Sequence, residues 1–286
     1  ISSKEENDKI LEELSYNKYS VSKIIEKPRV KKPYAPFTTS SMQQDAANKL
    51  NFKTRKTMVV AQQLYEGIDV GKRGTMGLIT YLRTDSVRVS DEAKAAAASY
   101  VTEEFGEEYS ANNIFSSKRK DVQDAHEAIR PSDVNLKPEG IKEYLSGDQF
   151  KLYKLIWTRF VASQMAATRY DSMQVDIENG KYRFRANGSK RLFDGYQKVY
   201  KTADEEKDNL LPELNEGEEL KLIDIKGEQN FTQPPARFTE ASLVKTLEEL
   251  NIGRPSTYAP IVGTLGERRY VKKEKKSLIP SELGFL

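Results

Sequence analysis

Two kinds of periodicity alternate along the chain, and together they predict a protein of mixed helices and strands. Apolar residues recur at helical spacing in five segments before residue 167, namely 4–14, 41–50, 57–67, 91–105 and 151–166. Ser40 and Gln43 have the form of a capping box at the start of the second helix. Ser90 is placed to cap the fourth. This part of the chain is therefore predicted to be mainly helical.

Several short segments have an apolar residue at every second position and are predicted to be strands. They are 18–26, 77–82, the two halves of 173–187 and the segments 196–201 and 220–226. Asn179-Gly180 separates the two halves of 173–187, which is a strong signal for a tight hairpin. A β region is therefore predicted over about 170–228, and the strand 18–26 is expected to join it.

The C-terminal segment returns to helical periodicity and ends in a basic hairpin. A helix over 239–250, capped by Thr239, precedes a second helix from Pro255 to about Arg268 and a hairpin over 269–280. This order resembles a winged helix, which is a common DNA-binding unit. The two helices between 41 and 67 are joined by a short basic connector and are expected to form a helix-turn-helix unit.

The composition narrows the classes of function. The 286 residues include no cysteine and one histidine, which excludes disulfides, thiolate zinc sites, cysteine nucleophiles and multi-histidine metal sites. The net charge of the protein is only +3, so it would have to recognise a nucleic acid through local basic runs such as 23–32 and 268–276. The alternative interpretation of these runs is solvated surface. No signal peptide or membrane-spanning apolar run is present. Both ends look cut, so we expect a soluble, cytoplasmic piece of a longer protein.

The stretch "GLITYLRTDS" places Tyr81 between an apolar strand and a polar loop. In an extended chain, Tyr81, Arg83 and Asp85 project from the same face. A phenol has an unperturbed pKa of about 10, so a nucleophilic tyrosine needs a positive neighbour or a base. Arg83 can supply that charge and can also hold a phosphate. On pattern alone, a packed aromatic is the simpler interpretation of Tyr81, because strands favour aromatic residues.

Two other groups of polar residues are candidate phosphate contacts. His126 and Arg130 are four residues apart, so one short helical turn, ended by the following proline, would place both on one side. Arg254 precedes Ser256 and Thr257 at a predicted helix start, and a helix N-terminus with hydroxyl groups binds anions. A structural histidine and ordinary helix capping are the alternatives, and the residues alone do not decide between them.

Six motifs occur in the order found in the bacterial type IA DNA topoisomerases. They are "PFTTSSMQQDAANKL", "MGLITYLRTDS", "DAHEAIRPSDV", "LYKLIWTRFVASQM", "PPARFTEASLVKTLEELNIGRPSTYAPIV" and "YVKKEKKSLIPSELG". Each motif is weak by itself, but all six in register extend the match over about residues 18–284. The chain therefore resembles the topoisomerase I branch of that family.

The resemblance implies a transesterification on single-stranded DNA within negatively supercoiled DNA. Tyr81 would attack a backbone phosphate and form a 5′-phosphotyrosyl link, and strand passage and religation would relax the supercoils without ATP. Arg83 matches the family arginine that positions the scissile phosphate. His126 matches the family histidine that assists at the DNA phosphates. Weaker candidates for contacts with the DNA backbone are Arg130, Arg237, Ser242, Arg254 and Thr257.

The resemblance also implies a multidomain, mainly helical α+β fold, in which a toroidal core combines a β arch with helix-turn-helix and winged-helix-like units. The predicted domains are the start of the arch with a linker (1–35), the tyrosine-bearing helical domain (36–166), the arch or hinge (167–228) and a DNA-binding base (229–286).

The chain departs from the family at the metal site. The family's acidic domain, with its catalytic glutamate and DxDxE magnesium site, has no match in this sequence, and neither do its zinc ribbons. We therefore expect Mg²⁺ to bind outside this chain, with no metal site and no zinc within it. The chain alone is expected to be a monomer that cleaves DNA poorly and acts at the nucleoid.

Two other functions fit part of the pattern. A non-catalytic helix-turn-helix DNA-binding protein would bind duplex DNA with sequence preference and would form no covalent adduct. A tyrosine recombinase or type IB enzyme also uses arginine, histidine and tyrosine. Its nucleophile normally follows the basic residues, however, whereas Tyr81 precedes both His126 and Arg130.

Overall fold

The computed structural model describes residues 1–116, 126–201 and 208–286. The helices are α1 (Lys4–Tyr16), α2 (Thr39–Leu50), α3 (Thr54–Glu66), α4 (Asp91–Phe105), α5 (Gly147–Ser163), α6 (Glu240–Glu249), α7 (Tyr258–Glu267) and α8 (Glu282–Phe285). The strands are β1 (Tyr19–Lys31), β2 (Ile68–Asp69), β3 (Thr75–Met76), β4 (Thr168–Asn179), β5 (Tyr182–Phe193), β6 (Glu219–Leu220), β7 (Val271–Glu274) and β8 (Ser277–Pro280). The prediction of a fold that mixes helices and sheets is confirmed.

The chain divides into two compact units. Unit 1 contains Ile1–Lys32, Ala167–Gly195 and Lys201–Pro234. Unit 2 contains Pro33–Ala166, Tyr196–Tyr200 and Pro235–Leu286. The tyrosine-bearing segment and the C-terminal helices thus belong to the same unit, and their assignment to separate domains stays a prediction.

Unit 1 is built on an antiparallel sheet with the strand order β5-β4-β1-β6. The hairpin predicted near Asn179-Gly180 is confirmed, but its turn is Gly180-Lys181, in which Gly180 has a φ of +57°; Asn179 is the last residue of β4 and pairs with Tyr182. The predicted strand 18–26 joins this sheet as β1 and continues through Pro28 to Lys31. Proline is tolerated there because β6 pairs with β1 only at Tyr19 and Ser20, which leaves the later part of β1 at a sheet edge.

Two segments predicted as strands of the β region have other structures. Residues 196–201 contain a 3-10 turn over Gly195–Lys198, in which the N–H of Tyr200 donates to the carbonyl of Tyr196 at 3.0 Å. Both tyrosines are buried, so their spacing of four residues reflects a turn and not a strand. In 220–226 only the pair Glu219–Leu220 forms strand structure, and Ile223 is 95% exposed.

The helices of unit 2 largely follow the predictions, apart from one cap. Ser90 caps α4, and Gly67 ends α3 with a φ of +135°, as predicted. The capping box of α2 is formed by Thr38 and Ser41, however, and the predicted pair of Ser40 and Gln43 is wrong. Ser40 is the second residue of the helix and Gln43 the fifth, and both are buried, so neither precedes the helix where a cap of its first N–H groups must lie.

The C-terminal part of unit 2 has the predicted order of helix, turn, helix and hairpin. Thr239 caps α6 through a capping box with Ser242, and α6 packs on α7 around a small apolar core (Val244, Leu247, Tyr258 and Val262). The second helix begins at Tyr258 and not at Pro255, because the N–H groups of Thr257 and Tyr258 both donate to the carbonyl of Arg254 in a preceding turn.

Candidate active site

The tyrosine-bearing segment is held by a short backbone pairing followed by a bend. Ile79 pairs with Pro131 in an isolated antiparallel bridge, and the N–H of Thr80 donates to the carbonyl of Arg130 at 2.9 Å. The N–H of Arg130 donates to the side-chain hydroxyl of Thr80 at 3.0 Å. Because the hydroxyl of Thr80, and not its backbone carbonyl, accepts this N–H group, the backbone hydrogen bonding between the two segments does not continue beyond Thr80. The predicted strand 77–82 is therefore reduced to a single bridge, and the chain bends at Leu82.

Side chains alternate between buried and exposed along this bend. Leu82 and Thr84 are buried, whereas Tyr81 is 36% exposed and Arg83 is exposed. Thr39, at the start of α2, fixes this arrangement because its hydroxyl donates to the carbonyl of Leu82 at 2.7 Å. The Thr39 hydroxyl also accepts the N–H of Thr84 at 2.9 Å. The burial pattern agrees with the expectation that Tyr81 and Arg83 share one face of the segment.

The ring of Tyr81 lies between two other rings. Its centroid is 5.6 Å from that of Tyr65 on α3, at an interplanar angle of 69°, and 5.2 Å from that of His126, at 46°. Edge-on and tilted contacts of this kind are favourable for aromatic rings. The ring is thus held by its neighbours while part of its surface stays open to solvent.

His126 and Arg130 do not share a helical turn, and that prediction is wrong. The chain after His126 is extended, and Ile129 pairs with Phe37 in an antiparallel bridge. Arg130 is directed to Glu127, to which its Nε donates at 2.8 Å, and its side chain is only 14% exposed. The structure therefore brings His126 to Tyr81 and engages Arg130 in a local ion pair.

A groove of about 660 Å³ lies between α3 and α7 and includes Arg83. Apolar side chains of both helices form one part of its lining (Met58, Val59, Ala259 and Pro260). Polar and charged groups form most of the rest (Arg55, Gln62, Gln63, Glu66, Arg83, Ser256, Thr264 and Glu267). A mixed lining of this kind suits a flexible polyanion with apolar bases. Sequence reasoning missed the α3 face, because its residues meet α7 only through tertiary packing.

The remaining candidate contacts have different surroundings. Arg254 is exposed and its guanidinium donates to the carbonyl of Gly253 at 2.8 Å, while the hydroxyl of Thr257 accepts the N–H of Arg254 at 2.8 Å. Ser242 is half-buried and engaged in the capping box of α6. Arg237 is exposed in a segment without regular structure. Arg254 and Thr257 thus flank Ser256 of the groove, whereas Ser242 serves the helix start.

Among the carboxylates of unit 2, that of Glu240 has a lowered pKa and links three elements of the unit. Burial raises the pKa of Glu240. Hydrogen bonds from Lys273 and from the backbone and hydroxyl of Thr54 outweigh this effect, so its pKa lies below the ordinary value of 4.5. The ionised carboxylate therefore joins α6 to the start of α3 and to β7.

Magnesium has no obvious ligand set in residues 1–116, 126–201 and 208–286. Over these ranges, no three histidine, cysteine, aspartate or glutamate side chains converge in a way that would hold a metal ion. The residues described therefore do not fit the Mg²⁺ that the family resemblance implies. No helix within the same ranges has the length and apolarity needed to cross a membrane.

Comparison with known proteins assigns the chain to one family. A family model described as DNA topoisomerase matches residues 1–286, and therefore the chain belongs to the DNA topoisomerase family. The resemblance to the bacterial type IA enzymes is confirmed.

Among solved structures, the chain is similar to full-length topoisomerase I from Thermotoga maritima, with 44% sequence identity and a TM-score of 0.86. The match covers 97% of this chain and 45% of that one, so the chain spans less than half the length of the matched protein.

Proposed function

We propose that this chain supplies the nucleophile and part of the single-strand path of a type IA DNA topoisomerase that relaxes negatively supercoiled DNA. The observation that carries the proposal is the setting of Tyr81. Its partly exposed ring contacts His126, and Arg83, which follows it on the same face, lines the groove between α3 and α7. The ring of Tyr81 is thus supported by neighbouring rings while part of its surface stays accessible to a substrate.

The proposed chemistry exchanges one phosphodiester for another. The phenolic oxygen of Tyr81 forms a bond to phosphorus, the bond from phosphorus to the 3′ oxygen breaks, and the phenol proton passes to that 3′ oxygen. The products are a 5′-phosphotyrosyl link and a free 3′-hydroxyl. Because one ester replaces another, the reversal needs no ATP. No step is assigned to Mg²⁺, since the described residues do not hold it.

Arg83 and His126 are proposed to act on the phosphate and not on the bases. A guanidinium holds two phosphate oxygens in a bidentate manner and stabilises the charge that builds up on them. The ring centroids of His126 and Tyr81 are 5.2 Å apart, so the imidazole lies close to the reacting group and could contact the same phosphate. Arg254, with Ser256 and Thr257 before α7, would bind the next phosphates of the strand.

The family also suggests how strand passage occurs. Unit 1, with its antiparallel sheet, would be the β arch of a toroidal enzyme, and unit 2 would carry the cleaved strand. We further propose that the protein acts as a monomer at the nucleoid in the cytoplasm, with Mg²⁺ bound by residues other than those described. By itself this chain is expected to bind single-stranded DNA and to cleave it poorly.

A chimera tests the proposed nucleophile. Residues 1–286 would replace the matched part of the Thermotoga maritima enzyme, and the chimera would be assayed for covalent adducts with a 5′-phosphate and for plasmid relaxation. We expect Tyr81→Phe to abolish both. Tyr65→Phe is the matched control, because Tyr65 is 39% exposed and adjoins Tyr81. An adduct that survives in Tyr81→Phe would refute the proposal and favour a non-catalytic DNA-binding protein.

A further inference from the structure

The hairpin β7–β8 is a basic projection of unit 2 for which the proposed chemistry has no use. Residues 268–276 contain six arginines or lysines and one glutamate. Lys272, Lys275 and Lys276 are all exposed. Such a concentration of one sign of charge attracts polyanions.

Lys275 has a backbone conformation that lysine rarely adopts. It lies in the two-residue turn between Glu274 and Ser277 and has a φ of +54°. Glycine, asparagine and aspartate are the usual residues at such positions, since a Cβ is crowded there. A lysine kept in this conformation suggests that the charge at the tip has a use that outweighs the backbone strain.

The hairpin is fixed to the rest of unit 2, so its tip has a defined place. Lys273 donates to Glu240 at 2.9 Å, the N–H of Leu278 donates to the carbonyl of Phe238 at 2.7 Å, and that of Ser281 donates to Tyr270 at 3.0 Å. These bonds fix the backbone of the hairpin, and therefore they fix the position from which the two exposed lysines at its tip extend.

The tip lysines line a second groove, of about 320 Å³, at the connector between α2 and α3. Asn48 and Asn51, both exposed, also line this groove. An amide can donate to a phosphate oxygen and an ammonium can neutralise it. The carboxylate of Glu240 also lines this groove, but Lys273 pairs with it at 2.9 Å, so the two tip lysines leave the lining with an excess of positive charge. The second groove is thus chemically suited to phosphates, whereas the first also has apolar surface for bases.

The second groove adjoins the N-terminal end of the helix that lines the first, and Tyr81 lies near the other end of that helix, against Tyr65. The first groove extends along α3 from Arg55 to Glu66, and the second begins at Phe52, just before that helix. A helix rises 1.5 Å per residue, so the ends of α3 are roughly 18 Å apart. A stacked strand rises about 3.4 Å per nucleotide, and thus about five nucleotides separate the two ends.

We propose that Lys275 and Lys276, with Asn48 and Asn51, form a second backbone-phosphate site for the single strand that reacts at Tyr81, about five nucleotides from the reacting phosphate. This proposal rests on the proposed function, because it assumes that the first groove holds single-stranded DNA. The hairpin then acts as an electrostatic anchor that keeps the strand in register while the phosphodiester is open.

Salt dependence of binding tests the anchor. The affinity of the chain of 286 residues for a sixteen-nucleotide oligothymidylate would be measured over a salt series by fluorescence anisotropy. Each phosphate contact with a single strand contributes about 0.7 to the slope of log K against log salt. Lys275→Gln with Lys276→Gln should lower that slope by about 1.4 and weaken binding on the order of twentyfold at 0.1 M salt.

Two control variants separate this effect from charge loss and from misfolding. Lys142→Gln with Lys151→Gln removes the same charge from exposed positions elsewhere in unit 2, and it should leave the slope unchanged. Lys275→Gly relieves the left-handed backbone, so it should raise the melting temperature while weakening binding. Loss of folding cannot produce that combination.

The outcomes distinguish the two proposals. Equal slopes for the tip variant and its charge control would overturn the anchor, as would an effect seen only with duplex DNA. A chain that binds duplex as well as single strand would count against the proposed function, whatever the tip variant does. Tyr81→Phe should bind the oligonucleotide normally, because it keeps both grooves.

Discussion

Glu240 connects three elements of unit 2, and the loss of stability in Glu240→Gln should measure how much these connections contribute. Its carboxylate accepts the N–H of Thr54 at 2.8 Å, the Thr54 hydroxyl at 3.2 Å and the ammonium of Lys273 at 2.9 Å. Lys53, the N-cap of α3, makes no side-chain capping bond. Glu240 therefore caps α3 from another helix, and at the same time it fixes the basic hairpin.

The expected loss in the free energy of unfolding is the sum of the contributions of these contacts. A cap bond is typically worth about 1 kcal/mol, and a negative charge at a helix N-terminus adds about 0.5 kcal/mol. The ion pair with Lys273 adds about 0.5 kcal/mol, since the Lys273 side chain is 39% exposed. We expect Glu240→Gln to cost about 2 kcal/mol, which lowers the melting temperature of a domain of this size by about 4–8 °C.

The loss should also depend on pH, with a definite sign. The pKa of Glu240 is lowered in the folded chain, so the stability that its charge contributes is fully present above the unfolded value of 4.5. That contribution is lost as the pH falls through the folded pKa. The stability difference between the native chain and Glu240→Gln should therefore be constant near neutral pH and should shrink below about pH 4.5.

Thermal unfolding followed by calorimetry at several pH values is the assay. Glu249→Gln is the matched control, because Glu249 lies on the same helix, is exposed and makes only a long contact of 3.8 Å with Lys245. It should shift the melting temperature by about 1 °C or less. If Glu240→Gln behaves like this control, or if its effect grows as the pH falls, the account of α3 capping is wrong.

Two other substitutions have defined outcomes. Arg159→Met should destabilise unit 2 by about 3 kcal/mol in chemical unfolding. The largely buried guanidinium donates to the carbonyl of Ala35 at 2.6 Å and lies 3.6 Å from Asp45, so the substitution would deprive the Asp45 charge of a partner. A loss of stability below about 1 kcal/mol would contradict this. His126→Ala in the chimera should slow adduct formation about a hundredfold, with less change in oligonucleotide affinity, as measured by single-turnover cleavage. Equal losses in rate and affinity would instead assign His126 to binding alone.

Local signals in the sequence were sufficient for most of the helices and for the long hairpin. Ser90 and Thr239 cap helices as predicted, because their side-chain oxygens accept N–H groups of the first turn that have no partner within the helix. Gly180 permits the left-handed backbone that the turn of the long hairpin requires, although the turn lies one residue later than predicted. These features depend on neighbouring residues only, and for that reason they can be derived without the fold.

The wrong predictions concern side chains whose hydrogen-bond partners are determined by tertiary contacts. Ser40 looked like a cap, but its hydroxyl donates to Glu248 on α6 at 2.6 Å. Arg130 was expected beside His126, but Glu127 binds its guanidinium. In both cases the competing partner is equally compatible with the sequence, and only the packing selects it.

The candidate site was predicted from the sequence in part. Alternation indicated that Tyr81 and Arg83 share a face, and their burial agrees with this. The proximity of His126 to Tyr81 followed from the family resemblance and not from spacing, because the two lie in separate segments. The groove of α3 and α7 had no signal at all, since its two walls are far apart in the sequence.

Peptide mapping of the trapped adduct tests the central claim most directly. The chimera would be denatured during cleavage of a single-stranded oligonucleotide, digested with protease and nuclease, and analysed by mass spectrometry. We predict that the residual nucleotide is attached through a 5′-phosphate to Tyr81 and that none is found on Tyr65. Attachment to any other residue, or through a 3′-phosphate, would contradict the account.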